Sequence, residues 1–180
     1  MNACESILGL SPYQGGKPIE ELARELGLTK ISKLASNENP LGISIKVKKA
    51  INDSLSSINR YPDGNCFELK KAIATKHNVT PEMISLGNGS NELLELIARV
   101  FVSKQTDEVI FSQYAFVVYP LVTQALGATA VVSPAKNFGH DLDSMLSMIT
   151  TNTKLIFVAN PNNPTGTLLT DKEVYNFLKQ

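Results

Sequence analysis

Two spacings of apolar residues divide this chain. Up to about residue 78 they fall at helical intervals between polar breaks. In "KPIEELARELGL", Ile19, Leu22 and Leu26 share a helical face, with Pro18 at the start and Gly27 at the stop. "ISKLASNENPLG" reads as a short strand followed by a polar turn. Ser44 can cap a helix over "IKVKKAINDSLSSI", "RYPDGN" breaks the chain, and "FELKKAIATKHN" reads as another helix. From residue 79 onward, β-branched apolar runs alternate with amphipathic ones. "MISLGNG", "EVIFS", "TAVVSP" and "KLIFVAN" read as strands. "SNELLELIARVF", "FVVYPLVTQALG" and "DLDSMLSMIT" read as helices, the first with Leu93, Leu94, Ile97, Ala98 and Phe101 on one face. This alternation predicts an α/β/α domain built on a mainly parallel sheet. The last segment, "TDKEVYNFLKQ", opens on a capping box of Thr170 and Glu173 and begins an apolar face with Val174, Phe177 and Leu178. A parallel sheet needs both faces covered and its central strands paired. The expectation is therefore an arm over residues 1–45 and an incomplete large domain over residues 46–180, cut within a helix.

Composition narrows the partners. The 180 residues are 43% hydrophobic, and seventeen basic side chains balance seventeen acidic ones. No global field draws in nucleic acid or an acidic membrane. No apolar run approaches membrane-spanning length, and "MNACESILGL" lacks the basic start of a secretory signal, so a cytoplasmic protein is expected. Cys4 and Cys66 form no metal-ligand spacing, and no metal is expected. His77 and His140 both fall near helix ends among polar neighbours and read as surface residues.

Chemistry is expected beyond the carboxyl ends of the strands, where open α/β sheets bind ligands. "GNGSNE" ends one strand in glycines and starts a helix at once, which suits a phosphate group or, equally, a tight capped loop. A dinucleotide fingerprint would need a glycine where Glu92 stands, and the next strand ends without a ribose-binding acid. Tyr114 follows "EVIFS", where its ring can stack on a flat heterocycle or pack in the core. "VANPNNPTGTLL" crowds two prolines and three asparagines into five residues after an apolar run. Asn160-Pro161 and Asn163-Pro164 are both candidates for cis peptide bonds that fix a side chain's direction.

These residues resemble a known family. "NPNNPTG" after an apolar strand, with "LGNGSNELLELIARVF", "YAFVVYP" and "RYPDG", is similar to the fold-type-I pyridoxal-phosphate aminotransferases. "LSPYQGGKPIEELARELGL" and "KLASNENPLG" narrow the resemblance to the histidinol-phosphate aminotransferase branch, over essentially the whole chain. The resemblance implies pyridoxal 5'-phosphate as cofactor. It implies that Asn163 hydrogen-bonds the phenolic oxygen of its ring, that Tyr114 stacks on the ring face, and that Ser90 and Asn91 bind its phosphate. Tyr61 would reach the phosphate held by a neighbouring subunit of a homodimer, while Tyr13 and the turn from Asn37 to Asn39 would line the substrate entrance. The implied reaction exchanges an amino group between L-histidinol phosphate and 2-oxoglutarate, yielding glutamate, in two half-reactions.

The lysine that carries the cofactor in this family should follow the NPTG loop by several tens of residues, and no lysine of this chain matches it. Lys154 opens a strand at the wrong end of the sheet, Lys172 lies on the outgoing helix, and Lys136 follows "VVSP" without matching the motif. The substrate-gripping arginines are also unmatched; the chain holds only Arg24, Arg60 and Arg99. The expectation is an N-terminal portion of such an enzyme, inactive and poorly folded by itself. The rivals are another class I/II aminotransferase, a decarboxylase acting on phosphorylated threonine, and a non-catalytic remnant or binding module.

Overall fold

The computed structural model describes residues 3–13 and 15–180, which cluster into two compact units. One comprises residues 15–85, the other residues 3–13 with residues 86–180. In chain order, helix α1 (Glu5–Leu8) belongs to the second of these.

The unit of residues 15–85 is built from α2 (Ile19–Leu26), α3 (Ile45–Ser54) and α4 (Phe67–His77). Their boundaries are set locally. Pro18 precedes α2, and Gly27 closes it in the left-handed conformation at φ 64°. The Ser44 hydroxyl accepts the Val47 N–H at 3.2 Å and so caps α3. Before α4, the Asp63 carboxylate accepts N–H bonds from Asn65 at 2.9 Å and Phe67 at 3.0 Å. Residues 31–35, expected as a strand, are irregular: among the described residues no second strand pairs with them. Ala74 is the one buried apolar residue among those described in this unit, while Ile45, Val47 and Ile51 along α3 are exposed.

The other unit carries α5 (Ser90–Phe101), β1 (Glu108–Ser112), α6 (Val118–Ala125), β2 (Thr129–Ser133), β3 (Ala135–Lys136), β4 (Gly139–His140), α7 (Leu142–Ser147), β5 (Thr153–Ile156) and α8 (Asp171–Leu178). Its sheet runs β2-β1-β5, all parallel, as the alternating pattern predicts. The "MISLG" run forms no strand; Ile84 is extended, but residues 84–87 belong to no strand of that sheet. β5 stops at Ile156, short of the full "KLIFVAN" run, although the Phe157 N–H still bonds the Ile110 carbonyl at 2.8 Å.

The core forms on one face of β1. Val109 and Phe111 meet Ala98 of α5, Val102 just after it, Val118, Tyr119 and Val122 of α6, and Phe157. Tyr119 and Phe157 stack with centroids 4.4 Å apart. Ile110 points to the other face, where α7 packs on β1 and buries Met145 completely. On α5, Ala98 and Leu94 meet this core, whereas Ile97 and Phe101, expected on the same face, are largely exposed. At α8 the capping box is formed in full: the Thr170 hydroxyl accepts the Glu173 N–H and the Glu173 carboxylate accepts the Thr170 N–H.

Between α5 and β1, the buried Asp107 carboxylate accepts the Ser103 N–H at 2.8 Å and the Lys104 N–H at 2.9 Å. Those bonds, Ser103's first, hold its carboxyl below the ordinary carboxylate range. Bonds from Phe67 and Asn65 do the same for Asp63, and those from Thr170 for Glu173. A group depressed in the folded state stabilises above its unfolded pKa, and that contribution disappears as pH falls through the lowered value. The thermal midpoint is therefore expected to fall progressively below about pH 5. Asp107→Asn, which keeps one oxygen for the two N–H groups that already share a single carboxylate oxygen but removes its charge, should lower the midpoint at neutral pH and flatten this acid limb. Parallel acid limbs for variant and wild type would remove Asp107 from the account.

Candidate functional site

The site lies along the carboxyl edge of the sheet. Ala98 and Val102 near the end of α5 pack on β1, and residues 102–107 lead directly from one into the other, so helix and strand run antiparallel. Twelve helical residues span about 18 Å and five strand residues about 17 Å. The first turn of α5 is thereby brought level with the carboxyl end of β1.

That turn is rich in unpaired donors. Gly89 precedes it at φ 86°, a conformation open to glycine, and no side chain caps it. Ser90 and Asn91 are exposed at its start. Glu92 turns its carboxylate back onto the Asn88 N–H. A Cβ at Gly87 would stand 2.8 Å from the Glu92 carboxylate and 3.1 Å from Leu93, so a side chain there would displace the Glu92 carboxylate.

The loop after β5 is tied at several points. The Asn160 side chain bonds the backbone of Leu169 in both senses, donating to its carbonyl at 3.0 Å and accepting its N–H at 2.8 Å. Inside that base, the Asn162 N–H bonds the Thr167 carbonyl at 2.8 Å and the Gly166 N–H bonds the Asn162 carbonyl at 2.8 Å. Asn162 is 3% exposed. Its Nδ2 donates to the Tyr114 carbonyl at 2.9 Å and to the Thr165 hydroxyl at 2.8 Å. The Asn160-Pro161 and Asn163-Pro164 bonds are both cis. Asn163 is half-buried, and its amide has no hydrogen-bond partner among the described residues. The two neighbouring asparagines thus divide the work: one is locked into the scaffold and the other is left open.

A two-stranded hairpin, β3 and β4, borders the same loop. Gly139 packs so closely that a Cβ there would lie 3.0 Å from the Thr167 hydroxyl. His140 is 7% exposed, which corrects the expectation of a surface histidine. Its Nε2 lies 2.9 Å from the Ala159 carbonyl. Because a carbonyl only accepts, Nε2 carries the proton and donates it. Phe138 at the hairpin tip lies against the half-exposed Tyr114, ring centroids 5.4 Å apart. His77, at the end of α4, is exposed as expected.

Of the residues singled out from the sequence, Ser90, Asn91, Tyr114, Asn163 and Tyr13 belong to the unit that contains the sheet. Tyr13 sets its ring edge-on to Phe116 at 6.4 Å and lines an apolar groove with Leu10, Pro12 and Leu121. Asn37, Asn39 and Tyr61 belong to the other unit. Asn39 closes its own turn, accepting the Leu41 N–H at 3.0 Å and donating to the Gly42 carbonyl at 3.3 Å. Asn37 takes a left-handed φ of 51°, and the Tyr61 side chain is fully exposed. No group of three or more potential metal ligands occurs among the described residues, and no helix among them is long and apolar enough to cross a membrane.

Residues 29–179 match the family model described as "Aminotransferase class I and II". The chain belongs to that family. It is 60% identical over 172 residues to a histidinol-phosphate aminotransferase of Mannheimia succiniciproducens, covering 96% of this chain and 47% of that protein. It is 58% identical over 176 residues to one of Pasteurella multocida, covering 98% and 48%. Among solved structures, the histidinol-phosphate aminotransferase of Sinorhizobium meliloti in complex with pyridoxal-5'-phosphate superposes with a TM-score of 0.85 at 25% identity, over 97% of this chain and 46% of that one. The chain spans about half the length of the relatives it matches. The α/β architecture with its parallel sheet is that of the fold-type-I aminotransferases.

The asparagine pair offers a direct comparison. Asn162→Ala strands the Tyr114 carbonyl and is expected to cost about 2 kcal/mol of stability, whereas Asn163→Ala removes no bond and should cost less than about 0.5 kcal/mol. Urea unfolding of both variants checks this; equal losses would contradict the division of labour.

Proposed function

We propose that this chain forms the cofactor-facing and entrance-lining portion of a histidinol-phosphate aminotransferase, exchanging an amino group between L-histidinol phosphate and 2-oxoglutarate. The observation that carries the reading is the loop after β5, where buried Asn162 is fixed to the Tyr114 carbonyl and Asn163 presents an uncommitted amide. The identity of 60% with the Mannheimia histidinol-phosphate aminotransferase supports histidinol phosphate as the amino donor.

The residues present fit pyridoxal 5'-phosphate. The uncapped start of α5 offers N–H groups and the Ser90 hydroxyl, a donor set suited to a phosphate dianion. The half-exposed Tyr114 offers a flat face to a pyridine ring, and the Asn163 amide offers an N–H to a phenolic oxygen. When bound, the cofactor supplies an electron-withdrawing ring that accepts the pair released when the substrate Cα–H bond breaks. The chain's own residues bind and orient. Ser90 and Asn91 hold the phosphate, Tyr114 fixes the plane of the ring, and Asn163 donates to its oxygen. Tyr61 reaches toward the phosphate held in the neighbouring subunit of a homodimer. Tyr13, Asn37 and Asn39 line the approach of the substrate. No lysine of this chain is assigned to hold the cofactor covalently, so turnover requires the part of its relatives' length that these residues do not span.

Two measurements test the reading. Titrated with pyridoxal 5'-phosphate, the chain should bind one equivalent reversibly; Asn163→Ala should weaken binding about tenfold, and borohydride should fix cofactor at no single lysine. A stoichiometric adduct at one lysine would overturn the absence of a carrier. In a chimera with residues 1–180 replacing the matched segment of the Mannheimia protein, histidinol phosphate should be transaminated with 2-oxoglutarate. A chimera that binds the cofactor and turns over only other amino donors would overturn the substrate assignment.

A further inference from the structure

The β3–β4 hairpin carries a residue that its backbone does not favour. Ala135 pairs with His140 and Lys136 with Gly139, so Asn137 and Phe138 are a two-residue connection. Both have positive φ, 50° and 62°. Such turns favour Asn followed by Gly, because a side chain at the second position crowds the left-handed backbone. Asn137 obeys the rule. Phe138 is bulky, costs backbone strain, and is 65% exposed, so burial in a core does not explain it. Its ring lies against Tyr114, centroids 5.4 Å apart and planes inclined by 37°. The base of the hairpin is fixed independently of Phe138, through the His140 bond to the Ala159 carbonyl and the close passage of Gly139 by Thr167.

We infer that Phe138 is a positioning residue for the cofactor: its ring sets the plane of Tyr114 at the carboxyl edge of the sheet. The inference rests on the reading of Tyr114 as the residue facing the pyridine ring. Tyr114's backbone is already held through its carbonyl by Asn162, so the remaining freedom is rotation of its side chain. Phe138 limits that rotation from one side. The strained hairpin tip is the cost of ordering the ring before the cofactor arrives, which would otherwise reduce the affinity.

The test uses a signature opposite to that of a merely structural residue. Phe138→Gly relieves the left-handed backbone, so the full chain should keep or raise its thermal midpoint. Its affinity for pyridoxal 5'-phosphate should nonetheless fall about three- to tenfold, the usual worth of one aromatic pair. Phe138→Tyr, which keeps the ring, should bind as wild type does. NMR of ring-labelled tyrosine, with Tyr114 identified through Tyr114→Phe, should show the Tyr114 signal shifted and averaged in Phe138→Gly without any cofactor present. Unchanged affinity in Phe138→Gly beside a wild type that binds would overturn the role of Phe138 alone. So would a lowered midpoint with an affinity loss that Phe138→Tyr fails to restore. A wild-type chain that binds no cofactor would overturn the reading of the site itself, a separate result, since the Tyr114 signal still reports the ring contact.

Discussion

One buried amide holds two strand exits together. The Nδ2 of Asn162 reaches from the loop after β5 to the Tyr114 carbonyl, just beyond β1. In solution these two segments would have no reason to meet, since each is polar and each could satisfy its groups with water. The bond gains its value from the burial of Asn162, 3% exposed: a donor group withdrawn from water costs its desolvation unless it finds an acceptor, and the Tyr114 carbonyl is that acceptor. Everything that faces outward along this edge depends on it. Tyr114's ring is presented from a backbone held at its carbonyl, and Asn163 is presented from a loop held one residue earlier.

The sheet could not supply that rigidity by packing. β1 alone is buried beyond its first residue, with β2 mostly exposed and β5 half-buried on either side. Apolar contacts concentrate around Phe111, Tyr119 and Phe157, below the rim. Above it, order comes from directional polar ties: Asn160 to Leu169, Asn162 to Tyr114, His140 to Ala159. Such ties are worth little where water competes and much more where it is excluded. Asn162 and His140 are both buried, which makes their bonds selective for one loop geometry.

Much of the framework was legible in the chain itself. α5 and β1 begin and end where the apolar periodicity places them, Ser44 caps α3, and Thr170 with Glu173 forms the capping box. These features are local, so local sequence reveals them. What could not be read depends on partners distant in sequence. "MISLG" has the composition of a strand but no neighbour to pair with. His140 sits among polar residues in sequence, and its burial comes from the loop nineteen residues later. The hairpin at residues 135–140 was hidden because Phe138 occupies the place where glycine would have announced the turn. In "NPNNPTG" the residue types were visible, but nothing in their order says which asparagine turns inward.

That last ambiguity explains why the loop carries so much polar chemistry. A side chain that must meet a ligand atom has to be left without a protein partner, and an unpartnered polar group gives no stability to the loop that bears it. Its neighbours must then supply the order it cannot. Asn160, Asn162, Thr165 and Thr167 are all engaged with the loop itself or with Tyr114, Asn162 through its Nδ2 while its buried Oδ1 has no partner among the described residues, and Asn163 alone among the loop's asparagines keeps both ends of its amide uncommitted. The surplus of asparagine and threonine is therefore a scaffold for one uncommitted group. The same logic reaches the hairpin, where a strained residue is retained at a tip that a glycine would relax. In both places local stability is lower than the backbone could attain, and what is gained is the direction of a neighbouring side chain.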